Sequence, residues 1–160
     1  MSDLLAAVCA GLFIVVLALS AYWDPSIRVL HVFEALPYGL AAVLCLQQRK
    51  TGYLLGIASG ALWLWIAGTL TTFVRNGFDR VAMLLTTGHV DRWDQFIAAP
   101  AALATGGLVV FSIQGYLRLR RKSRGDVIAF VAMLATVLLY FVGLFWLFAP
   151  RFLDLFKRLV

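Results

Sequence analysis

Residues 127–149 read VIAFVAMLATVLLYFVGLFWLFA, an unbroken apolar run of twenty-three positions with no charged side chain. About 20 such residues are what a helix needs to cross the ~30 Å hydrocarbon core of a bilayer. No water is available there to satisfy backbone N–H and C=O groups, so a single spanning segment must be an α-helix. Asp126 stands before the run as an N-cap and Pro150 ends it. The rest of the chain is read outward from this segment.

The same pattern recurs four times upstream. Spans are expected at about 4–22, 25–46, 52–73 and 92–117, with the fifth at 127–149. Tyr22-Trp23 closes the first with an aromatic pair suited to a headgroup boundary. Asp24-Pro25 opens the second as N-cap and first-turn proline. Gln47-Gln48-Arg49-Lys50-Thr51 is a short basic turn before the third. In the connection over 75–90, Phe78, Val81, Ala82 and Leu85 fall at helical spacing opposite Asp79 and Arg80, which predicts a short interfacial helix stopped by Gly88. Asp91 reads as the cap of the fourth span, with Asp94 at its positive end. That span is longer than the core requires, so it tilts or protrudes. Phe152, Leu155, Phe156 and Leu159 oppose Arg151, Asp154, Lys157 and Arg158, which predicts an amphipathic C-terminal helix. The expected fold is thus all-α: a polytopic membrane protein in which residues 1–160 form a single domain of five transmembrane helices.

Composition agrees. The chain has 160 residues, 62% hydrophobic and 14% charged, with mean hydropathy +0.91, against about 45–50% and about 25% in soluble domains. Five spans leave no room for a soluble catalytic domain. The net charge of +6 is densest at Arg118-Leu119-Arg120-Arg121-Lys122-Ser123-Arg124, between two apolar stretches. Such clusters are typical of cytoplasmic loops, and they argue against nucleic acid as the partner. Placing this loop and Arg49-Lys50 inside puts the N-terminus in the cytoplasm, and a bacterial cytoplasmic membrane is the expected location. The opening Met-Ser-Asp-Leu-Leu lacks a basic region, so no signal peptide is expected. Cys9 and Cys45 lie in apolar runs without a CxxC pair and read as small hydrophobes.

Two packing faces stand out. Gly52, Gly56 and Gly60 form overlapping GxxxG patterns, and Ala98, Ala102 and Gly106 make a matching stripe in the fourth span. Close backbone approach at small residues drives helix association in lipid, within one chain or between two. The expected partners are therefore the bilayer and either another membrane protein or a second copy.

The chemistry-bearing candidates are in the second span. Arg28, His31 and Glu34 recur at intervals of three, and Tyr38 follows four later, all along one helical face. At 1.5 Å per residue Glu34 lies roughly 14 Å from Pro25, inside the hydrocarbon. Ionisable groups at that depth almost always face a cavity or the protein interior. Pro37 frees the carbonyl of Phe33 beside Glu34. His31 and Glu34 are expected to form a ligand or proton site, or else to bond Thr69, Gln95 or Gln114 and hold the bundle together. Trp63, Trp65 and the phenylalanines fill space, or wall a quinone or lipid ligand. His89 with Asp79, Asp91 and Asp94 makes a weak metal set, because two of those acids already serve as helix-start residues. His31 with His89 makes an equally weak haem pair. No nucleophile, zinc or phosphate-loop motif occurs, so no catalytic residue, metal or cofactor is required. The leading functional expectation is a non-catalytic subunit or scaffold of a membrane complex. The alternatives are a small proton- or cation-linked transporter or channel using Glu34 and His31, and a quinone- or lipid-binding enzyme component.

Overall fold

The computed structural model of the protein describes residues 1–119 and 123–148. It is all-helical, without a strand among the described residues. Helix α1 spans Ser2–Trp23. A 3₁₀ turn at Pro25–Ile27 leads into α2, Arg28–Leu46. Helix α3 spans Lys50–Trp65 and widens into a π-helical turn at Ile66–Leu70. Helix α4 is Phe73–Thr87, α5 the short Trp93–Phe96, α6 Ala98–Arg118 and α7 Gly125–Phe148. Five segments are long and apolar enough to cross a membrane: Ser2–Trp23, Pro25–Leu46, Lys50–Leu70, Trp93–Arg118 and Gly125–Phe148.

Local chemistry explains most boundaries. The Asp24 carboxylate accepts from the Ser26 N–H at 3.0 Å, so the Asp24-Pro25 start forms as expected. Gly88 ends α4 in the left-handed region, at φ 68°, where a side chain would be strained. Other boundaries depart from the expectation. The third span stops at Leu70 rather than running to Phe73, and α4 begins at once, two residues earlier than the 75–90 reading. Asp91 is not the cap of the fourth span. The cap residue is Arg92, and the Asp91 carboxylate accepts from the Arg80 guanidinium at 3.1 Å instead. The fourth span is broken at Ile97 between α5 and α6. Asp126 lies inside the first turn of α7 and accepts from the Ser123 N–H three residues back, in the manner of a capping box. The expected C-terminal amphipathic helix, and the end of the fifth span at Ala149, lie outside the described residues.

In the bundle α1 packs on α2 and α6, and α3 on α2, α6 and α7, with α4 laid against α6. Glycines set the closest approaches. A Cβ at Gly56 would lie 2.5 Å from Ser112 Oγ, and one at Gly60 would lie 2.7 Å from Val109 Cγ2, both on α6. Gly52 is closed over by the backbone of Leu44 and Cys45, at 2.6–2.7 Å. The expected partner stripe is rotated away. Ala98 meets Gly77 of α4, Ala102 is buried, and Gly106 has nothing within 4 Å. Helix α6 instead meets α3 through Thr105, Leu108, Val109 and Ser112. Both cysteines are free.

Lys50 and Arg118 come to one end of the bundle, each in its own polar cluster. Lys50 Nζ, Tyr116 OH and the Ser123 N–H and hydroxyl all donate to the Asp126 carboxylate, at 2.8–3.1 Å. Tyr53 OH donates to Asp3 at 2.6 Å, and the Arg118 guanidinium to the Ser2 hydroxyl at 3.0 Å. The outer flanks are apolar and exposed, with Leu139 and Leu147 of α7 as examples.

Candidate functional site

The site lies near the other end, where the last turns of α1, the first of α2, the π turn and the start of α6 converge. Helix α2 begins at the Asp24-Pro25 cap, which fixes the rotation of the face carrying His31 and Glu34. Glu34 is 6% exposed. Its Oε2 accepts from His31 Nδ1 at 2.8 Å, and His31 Nε2 lies 3.0 Å from the Ser20 hydroxyl of α1. An ionised carboxylate only accepts, which places a proton on Nδ1. Neutral imidazole then takes the Ser20 O–H at Nε2, and protonated imidazole donates to Ser20 Oγ instead.

These two side chains border a cavity of about 260 Å³. At roughly 30 Å³ for one water's share of liquid volume, it exceeds what a single bound water would fill. Its walls are apolar, with Phe13, Leu30, Trp63, Ile66 and Phe145 prominent, and Ser20, His31, Glu34 and Thr71 are its polar points. Phe13 sits edge-on to Trp63 at 5.0 Å and tilted to Tyr38 at 4.4 Å, so the aromatic floor is braced. Oε1 of Glu34 accepts from none of the described side chains.

Two backbone irregularities shape this region. Pro37 cannot donate to the Phe33 carbonyl one turn back, and Tyr140 OH of α7 donates to it instead at 2.7 Å. In the π turn Thr69 Oγ bonds the Trp65 carbonyl, and Thr71 Oγ bonds that of Ala67 at 2.8 Å. The widened turn delivers Ile66, Ala67 and Thr71 to the cavity wall. Single π turns are frequent at functional sites.

Of the expected residues, Glu34 and His31 come together at the cavity. Arg28 is exposed and outside its lining. Tyr38 is wholly buried below it, its OH donating to the Ser59 carbonyl at 3.1 Å. Trp63 lines the cavity and Trp65 turns outward. The anticipated bonds from His31 or Glu34 to Thr69, Gln95 or Gln114 do not form; Ser20 takes that place. Ser20 carried one signal in the sequence, a hydroxyl interrupting the apolar second half of α1. Asp91 and Asp94 are engaged by Arg80 and Arg92, and no group of three metal-ligating side chains gathers among the described residues. No family model, curated protein or solved structure matches this chain.

Proposed function

We propose that this chain is an integral membrane protein that binds a small amphiphile between its helices. The exposed leucine, valine and phenylalanine flanks suit lipid contact, since soluble monomers rarely expose such continuous apolar area. The basic loops at one end favour a cytoplasmic N-terminus. The carrying observation is a buried carboxylate, one oxygen of which accepts from none of the described side chains, on a largely apolar cavity. Ligand sites have this form, with apolar walls for area and a few convergent polar groups for orientation. A hydroxyl-bearing molecule, such as a quinol or a single-chain lipid alcohol, would donate to Glu34 Oε1 and lay its apolar body along Phe13, Trp63 and Phe145. The alternative, a non-catalytic subunit of a membrane complex, rests on the lack of any motif or soluble part together with the glycine and alanine faces, and of these α6 of the same chain occupies Gly56 and Gly60.

The test is a fluorescence titration of the full chain in nanodiscs with a short-chain quinol and with dodecanol. Trp63 is the reporter. Saturable quenching is expected, weakened at least ~10-fold by Glu34→Gln and lost in Trp63→Phe. Non-saturable partitioning, or a curve unchanged by Glu34→Gln, would refute the assignment.

A further inference from the structure

We infer that the head group this cavity selects is a primary ammonium carried on a single apolar chain or ring. The inference rests on the amphiphile reading above and narrows it to one chemical class. It follows from where the protons of the lining are spent. The His31 Nδ1–H goes to Glu34 Oε2 at 2.8 Å. With the imidazole neutral, the Ser20 O–H goes to His31 Nε2 at 3.0 Å. The Thr71 O–H goes to the Ala67 carbonyl at 2.8 Å, and its oxygen already takes the Phe73 N–H at 3.2 Å. What these groups still offer a ligand is acceptor capacity, at Glu34 Oε1 above all and on the Ser20 and Thr71 oxygens. The Trp63 indole N–H is the one donor left among the lining side chains. Such a census favours a head that donates and does not accept.

Charge points the same way. Glu34 is the one carboxylate among the described residues of the lining, and neither lysine nor arginine joins it there. The nearby phenols of Tyr38 and Tyr140 bring no positive charge, and their hydrogens go to the Ser59 and Phe33 carbonyls. A buried carboxylate whose only partner is a neutral imidazole lacks a compensating charge, and binding a cation supplies one where binding an alcohol does not. An ammonium has three donors and no acceptor. Its N–H bonds to a carboxylate are roughly twice as strong as neutral ones. Phe13 and Trp63 line the same cavity, and aromatic rings attract a cation.

Size limits the rest of the ligand. The Ser20–His31 and Phe13–Tyr38 contacts set the register of α1 on α2, which puts Glu34 between those two levels, beside Leu17. Phe13 to Ser20 is roughly 10 Å of helix. At about 30 Å³ per water's share of volume, a cavity of about 260 Å³ takes on the order of nine non-hydrogen atoms. A single chain or ring fits, and a two-chain aminolipid does not. The phosphate of such a lipid would also bring acceptors to a lining that has one donor to give.

The experiment titrates the full chain in phosphatidylcholine nanodiscs with dodecylammonium, dodecanol, dodecyltrimethylammonium and dodecanoate, read by Trp63 fluorescence. Dodecylammonium should bind at least ~10-fold tighter than dodecanol. Dodecyltrimethylammonium, which keeps the charge and loses every N–H, should bind more weakly than dodecylammonium, and dodecanoate should not saturate. In Glu34→Gln the ammonium should lose more than the alcohol, bringing their ratio to about one; comparing ratios between proteins cancels unequal partitioning into the disc. Adding phosphatidylethanolamine should leave dodecylammonium binding unchanged, and competition by it would overturn the single-chain assignment. Saturable dodecanol binding with dodecylammonium no tighter would overturn the inference and leave the amphiphile reading standing, whereas saturation by none of the ligands removes both. Equal affinity for dodecylammonium and its trimethylated counterpart, or an ammonium preference that persists in Glu34→Gln folded by circular dichroism, would also overturn it. The wild-type ligand series decides the matter even where that variant does not fold.

Discussion

Pro37 removes one donor from α2 and Tyr140 supplies another from α7, so Tyr140→Phe should be costly only while proline occupies position 37. The magnitude follows from the geometry. Tyr140 OH meets the Phe33 carbonyl at 2.7 Å, and no N–H within α2 can replace it. Interhelical hydrogen bonds in membrane proteins average about 0.6 kcal/mol and reach ~1.7. The bond lies on the exposed outer face of the bundle, and a carbonyl left there without a donor, facing lipid rather than water, costs about 1–3 kcal/mol. Loss of the hydroxyl should therefore destabilise by about 1–2 kcal/mol, up to a factor of roughly 30 in the unfolding equilibrium. In Pro37→Ala the backbone regains an N–H at that position, which restores the bond within the helix. The same Tyr140→Phe change should then cost less than about 0.5 kcal/mol, a coupling near 1 kcal/mol. The assay is unfolding of purified protein in mixed micelles with rising sodium dodecyl sulfate, followed by ellipticity at all four corners of the cycle. Equal costs of Tyr140→Phe in both backgrounds would show that the hydroxyl does not answer the carbonyl freed by proline.

Two further expectations use the same unfolding assay. Gly52→Ala and Gly77→Ala each place a Cβ 2.6–2.7 Å from backbone atoms that cannot turn aside, whereas Gly106→Ala meets open space. The first two should destabilise by at least ~1–3 kcal/mol, and the third should be neutral or gain up to ~1 kcal/mol from helix propensity; similar costs at all three would contradict the packing. Asp126→Ala leaves Lys50, Tyr116 and Ser123 without their common acceptor and should cost about 2–3 kcal/mol, while Lys50→Met, at a side chain a third exposed, should cost about 1 kcal/mol or less. The reverse order would place the strength of that end in the ion pair rather than in the shared carboxylate.

The spans could be read from the sequence because lipid leaves the backbone no alternative. A charge-free run such as 127–148 must close its own hydrogen bonds, and Asp24-Pro25 and Gly88 set ends by local chemistry alone. Faces were harder to read. Spacing puts Ala98, Ala102 and Gly106 on one side of α6 and Thr105, Leu108 and Ser112 on another, but cannot say which side α3 will meet. The choice falls to Gly56 and Gly60, whose notches fit the Ser112 hydroxyl and the Val109 methyl. Local capping signals lose where a distant partner competes, as Arg80 does for Asp91. The third span overran because apolarity continues through Leu70, whereas the threonine hydroxyls at 69 and 71 bond backbone carbonyls within the widened turn. The site divides in the same way. The His31–Glu34 pair lies on one helix and follows from i,i+3 spacing, as does the carbonyl freed by Pro37. The groups that answer them, Ser20 from α1 and Tyr140 from α7, stand eleven and 107 residues away. Nothing in the primary sequence ranks Ser20 above Gln95, since each is a polar side chain near the end of a span. Ser20 is selected because α1 and α2 form a hairpin whose turn is closed by Asp24, which brings the last turn of α1 level with His31. That hairpin therefore determines which hydroxyl completes the site.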